Sequence, residues 1–150
     1  MKKILSLSLA LVLLLSVALS LVACGGSSYP AIEKNFLGAG YTAVDTSGED
    51  GSNVLDITAS LKEGEISCTI HVLKTGSLLK NTLAYAIIAE YGADADAAAA
   101  MDDYLDGELA SILKELDTTK LINGNCLLIP LVLNSDFEDT VNSMIELFNK

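Results

Sequence analysis

Cys68 and His71 stand three residues apart in a C-x-x-H arrangement, the spacing of a thiol nucleophile with its base or of half a metal site. Both fall in an apolar alternating run, and strand residues three apart point to opposite faces. Cys68 is therefore expected to look inward and His71 outward, as a surface histidine. His71 is the chain's one histidine, which excludes a multi-histidine zinc site. Cys126 lies in a second apolar run, and two readings of the thiols stay open. A Cys68–Cys126 disulfide would close a loop of about 60 residues and add roughly 4 kcal/mol. Alternatively, both are free and act as small hydrophobes.

Carboxylates offer the other chemistry. The loop after Val44 carries Asp45, Ser47, Glu49, Asp50 and Asn53, and a later helix carries Asp102, Asp103 and Asp106. Either group is a weak candidate for a divalent ion, which takes several oxygen ligands. Gly48 and Gly51 are misplaced for an EF-hand, and a solvated acidic face is the simpler expectation. There is no G-x-S-x-G elbow and no phosphate-cradling glycine loop. With no tryptophan and five tyrosines, stacking platforms for sugars are scarce. The residues thus offer no catalytic constellation, and neither an enzyme nor a cofactor is expected.

The elements that must position these residues begin with two unlike segments. Residues 1–23 hold Lys2, Lys3 and a nearly unbroken apolar run to Ala23, without one acidic group. A basic start followed by such a run is the physical pattern of a secretory signal peptide. The remaining residues set seven lysines against twenty acids, a charge of about −13, and the chain has no arginine. A chain so acidic lacks the basic patches that nucleic acid requires. Hydrophobic residues make up 51% of the chain, enough to exclude a disordered one.

Leu21-Val22-Ala23-Cys24 closes the apolar run, and this tetrad resembles the lipobox of bacterial lipoproteins. The resemblance implies cleavage after Ala23, diacylglycerol and palmitate on Cys24, and attachment to the outside of a bacterial cell membrane. It covers the first 28 residues. Residues 24–28 would then be the lipidated cysteine and a Gly/Ser tether, reaching at most about 14 Å beyond Cys24. Two or more acyl chains make a durable anchor.

Residues 29–150 read as one acidic domain. Ser28-Tyr29-Pro30 starts a helix ended by Gly38 or Gly40. A strand at Tyr41–Val44 follows, and then a hairpin from the alternating runs 54–61 and 66–72. Residues 77–91 fit both a helical stripe and strand alternation, and a strand over Thr82–Tyr91 is preferred. From Ala93 the period changes, and Met101, Tyr104, Leu105, Leu109, Ile112, Leu113 and Leu116 make the stripe of one long helix. Asn123-Gly124 predicts a two-residue turn. Pro130 predicts an edge strand or a bulge. Ser135 and Glu138 form a capping box before a last helix carrying Phe137, Val141, Met144, Ile145 and Phe148.

The expected fold is therefore α+β, a two-layer sandwich of a mainly antiparallel sheet with one long and two shorter helices. It is loosely similar to small uncharacterised lipoproteins of Gram-positive bacteria. The functional expectation is a lipid-anchored binding or interaction module at the cell envelope. Its partner would be cationic: a basic protein, a polyamine or a divalent ion. The alternative is an envelope hydrolase, or an accessory to one, working through carboxylates.

Overall fold

Thr82–Tyr91 is apolar on both sides, and that property sets the architecture. A computed structural model describes residues 28–44, 66–77, 80, 82–107, 110, 115–134 and 136–150. In it this segment is the strand expected, with Leu83 through Ala89 all buried. A strand buried on both faces must be central and covered on both sides. Numbered in chain order, the strands are β1 (Thr42–Ala43), β2 (Cys68–Thr75), β3 (Thr82–Tyr91), β4 (Ile122–Asn123) and β5 (Cys126–Asn134). They form one antiparallel sheet in the order β1-β2-β3-β5-β4.

Register sorts the side chains. Val72 pairs with Ile87 and Ile87 with Ile129, so these share a face with Cys68, Ala89, Tyr91 and Leu127. His71, Leu73, Ala86, Ile88, Glu90, Cys126 and Leu128 share the other. Among the described residues, three helices cover the two faces: α1 (Tyr29–Gly38), α2 (Asp94–Asp106) and α3 (Phe137–Phe148). α1 and α3 lie on the His71 face, where Phe36, Met144 and Phe148 are buried against the sheet. Each such side chain contributes roughly 2 to 3 kcal/mol. α2 lies on the Cys68 face, and its Tyr104 hydroxyl meets that of Tyr91 at 3.0 Å. The α+β class and antiparallel sheet are as expected, with helix-on-sheet packing present on each side of β3.

Several local expectations shift. The long helix stops at Asp106, because Gly107 takes an extended conformation. Of its expected stripe, Leu109, Ile112 and Leu113 lie outside the described residues, and Leu116 is half-buried beyond the helix. The hairpin turn is Gly124-Asn125 instead of Asn123-Gly124, since Asn123 pairs with Cys126. Gly124 has φ +57, and an added Cβ would collide with the Ser28 hydroxyl. α3 is preceded by Asp136 as its cap residue; Ser135, the expected partner of Glu138 in a capping box, lies outside the described residues.

Pro130 resolves as an edge position. Asn123 and Cys126 close the hairpin, so even-numbered residues of β5 direct their backbone away from β3. β4 ends before it reaches Pro130, and the missing N–H costs no bond to β3. The expected strand over residues 54–61 lies outside the described residues, as do residues 1–23 and Cys24.

Candidate functional site

Two places concentrate polar chemistry. The first is the end of the sheet where α1 begins. His71 Nε2 is 2.8 Å from Glu90 Oε2, and the Tyr29 ring lies on the imidazole with centroids 3.5 Å apart and planes within 11°. Tyr29 donates its hydroxyl hydrogen to Glu33 at 3.2 Å. His71 is thus half-buried under the first turn of α1, a correction to the expected surface histidine. The cause is coverage: with helices over both faces, no position in the middle of β2 is open. The opposite facing of Cys68 and His71 is as the alternation required, so the C-x-x-H pair does not act together.

A carboxylate that orients an imidazole is half of a general-base pair. The thiol on the same face is Cys126, register partner of Glu90. Its environment suppresses nucleophilicity. Burial first, then the charges of Glu90 and Asp94, push the thiol up to about 12. Burial, reinforced by Glu33, also pushes the Tyr29 phenol above its ordinary range. What the cluster does is hold elements together. Beside it Asn125, 6% exposed, donates from Nδ2 to the Tyr91 carbonyl at 2.6 Å and accepts the Ser28 backbone N–H at 3.0 Å. These bonds fasten the start of α1 to the hairpin turn.

The second place is a groove of about 770 Å³ at the β5 edge, between α3 and the short 3-10 turn Thr118–Leu121. Spacing on α3 builds it. Phe137, Val141 and Ile145 recur every four residues and give an apolar row about 12 Å long. Leu116 completes the floor. Glu138, Asn142 and Glu146 follow one position behind and make one rim, with Asn149 at the end of the row; Glu115, Asp117 and Lys120 make the other. Phe137 stays 41% exposed, unlike Val141 and Phe148, which are buried. The Asn149 amide donates to the Lys120 carbonyl at 2.8 Å, and the Asn123 amide to the Phe148 carbonyl at 2.5 Å. Both rims are fixed by these bonds.

Four carboxylates and one ammonium line this groove, and the ammonium is already engaged, 3.3 Å from Asp117. The Thr119 hydroxyl and then Lys120 hold the Asp117 carboxyl below the usual carboxylate range. That direction favours a permanent charge. A general acid needs the opposite shift.

The remaining sequence candidates do not converge. Asp102, Asp103 and Asp106 are exposed on α2, and Asp45, Glu49 and Asp50 lie outside the described residues. No group of three potential metal ligands occurs among the described residues. Cys68 and Cys126 are both reduced thiols, outside any disulfide. They sit on opposite faces with β3 between their strands, so the candidate disulfide is not formed; a bridge needs Cα atoms within about 7 Å. The groove was not singled out from sequence. Its signal was the exposed partner row Glu138, Asn142 and Glu146 next to Phe137, Val141 and Ile145. Comparison with known proteins finds no matching family model, no matching curated protein and no matching solved structure.

Proposed function

We propose that this protein is an extracytoplasmic lipoprotein, attached to a bacterial cell membrane through Cys24, whose acidic α+β domain binds a cationic partner. The observation that carries the binding half is the groove beside α3, where carboxylates on both rims flank an apolar floor. Charge of this kind steers a cationic partner and selects against anionic ones. The anchoring half rests on Lys2, Lys3, the apolar run and the lipobox-like Leu21-Val22-Ala23-Cys24.

A hydrolase working through carboxylates is the competing reading. It needs one carboxyl of the groove held protonated, and Asp117 is shifted the other way. The test of the proposal has two arms. Cells expressing the full chain are fed labelled palmitate, and the membrane fraction is compared with that of Cys24→Ser. Label on the wild-type chain and none on the variant is expected; equal label on both sinks the anchor. Titration with cationic ligands at low and high salt is the second arm. Binding that weakens as salt rises supports the reading, and binding indifferent to salt removes its electrostatic basis.

A further inference from the structure

The groove beside α3 is more specific than its charge alone, and the inference below rests on the cation-binding reading of that same site. Its floor is apolar and linear. Phe137, Val141 and Ile145 lie on one line of α3, about 6 Å apart, with Leu116 opposite. The carboxylates stand outside that line on either side: Glu138 and Glu146 on α3, Glu115 and Asp117 on the facing segment. A ligand that matches must carry apolar groups along its middle and positive charge along both margins.

We propose that the occupant is an amphipathic helical segment of a basic protein, two to three turns long, lying along α3. Its apolar side chains, at i, i+3 and i+4 spacing, pack against Phe137 and Ile145, above the buried Val141, as one helix ridge meets another. Its lysines or arginines reach the rims on both sides. Phe137 is the anchor: a phenyl ring left 41% exposed beside an acidic rim acquires cover when the segment docks.

The other cations considered for this site fit less of it. Glu138 and Glu146 are two helical turns apart, about 12 Å, whereas the oxygens around a calcium ion lie 2.3 to 2.6 Å from the metal. A polyamine matches the carboxylates and leaves the apolar line without a counterpart. The 770 Å³ of the groove accommodates a few side chains and not a whole domain. A contact of that size is small among protein interfaces.

The probe is a synthetic helical peptide with leucines on one face and lysines along both margins of that face. Calorimetry is run on the full chain, purified as its host produces it. Spermine, a Leu-to-Ser peptide of equal charge and a Lys-to-Gln peptide of equal hydrophobicity are titrated in parallel. Phe137→Ala and the pair Glu138→Lys with Glu146→Lys change exposed residues, and unfolding curves check that each variant stays folded. The expected result is peptide binding that falls about tenfold in Phe137→Ala and more in the double reversal, with every comparison ligand at least tenfold weaker. If spermine binds as tightly as the peptide and Phe137→Ala changes nothing, the helical occupant is wrong while the cation reading stands. If the Lys-to-Gln peptide binds equally well, or if no cation binds, both readings fall.

Discussion

Asn125 does more for this fold than its single position suggests. Its amide serves the Tyr91 carbonyl and the Ser28 N–H at once, and its own carbonyl accepts the Tyr91 N–H at 2.8 Å. Asn125→Ala takes these bonds from the buried Tyr91 carbonyl and the half-buried Ser28 N–H, and a loss of about 2 kcal/mol is expected in urea unfolding. A loss within error would mean that water replaces both bonds. Cys126 makes a second prediction, because a buried neutral thiol disfavours ionisation. Its value rises from the ordinary 9.0 to about 12, so its contribution to stability is complete below pH 9 and is lost as pH climbs toward 12. Tyr91 and Tyr104, raised first of all by burial, act in the same direction. Cys126→Ala should therefore flatten, without abolishing, the decline of unfolding free energy across that window. Wild type and variant declining in parallel would show that the thiol is not what titrates.

At the scale of elements, α3 has two apolar faces with different duties. Phe148 and Met144 are fully buried, while Phe137 sits at the groove mouth. Phe148→Ala should cost about 3 to 5 kcal/mol, the range for a large-to-small change in a packed core. Phe137→Ala should shift unfolding by less than about 0.5 kcal/mol. Similar losses in both would place Phe137 in the core and empty the groove of its anchor. The sequence made part of this legible. Alternation in β2 and the strand pattern of β3 reported burial directly, and the four-residue period of α3 reported an apolar face. What it hid depended on contacts distant in the chain. The heptad-like stripe after Ala93 runs through Gly107, whose extended backbone ends α2, although the apolar spacing continues past it. His71 looked outward only while its face of the sheet was taken as open; the first turn of α1, remote in sequence, closes it. Phe137 read as core for the same reason, since periodicity shows which face of a helix is apolar and not what covers it.

The whole molecule is oriented by how its first described residue is fixed. Ser28 is bonded to Asn125, at the end of the sheet that also holds the start of α2, Asp94 and Gly124. The β2–β3 connection, with Gly76 and Lys80, lies at the other end of a ten-residue strand, about 33 Å away. If Cys24 carries lipid, four residue steps lead from it to Ser28, a reach of at most about 14 Å. The tether is shorter than the sheet, so the Asn125 end must stay near the membrane, and only an upright domain holds the Lys80 end away from it. The acidic residues at the near end repel an anionic leaflet and stretch the tether without reversing that order. Fluorophores placed on Ala95→Cys and Lys80→Cys, both exposed, test the geometry in vesicles with a quencher carried by the lipid headgroups. Quenching at position 95 and little at position 80 is expected, with the contrast lost in Cys24→Ser. Equal quenching at both positions would mean that the domain lies along the surface or that Ser28 releases Asn125 when the chain is anchored. The Asn125→Ala variant then supplies the internal check: by loosening that bond it should weaken the contrast in vesicles, even where the domain remains folded.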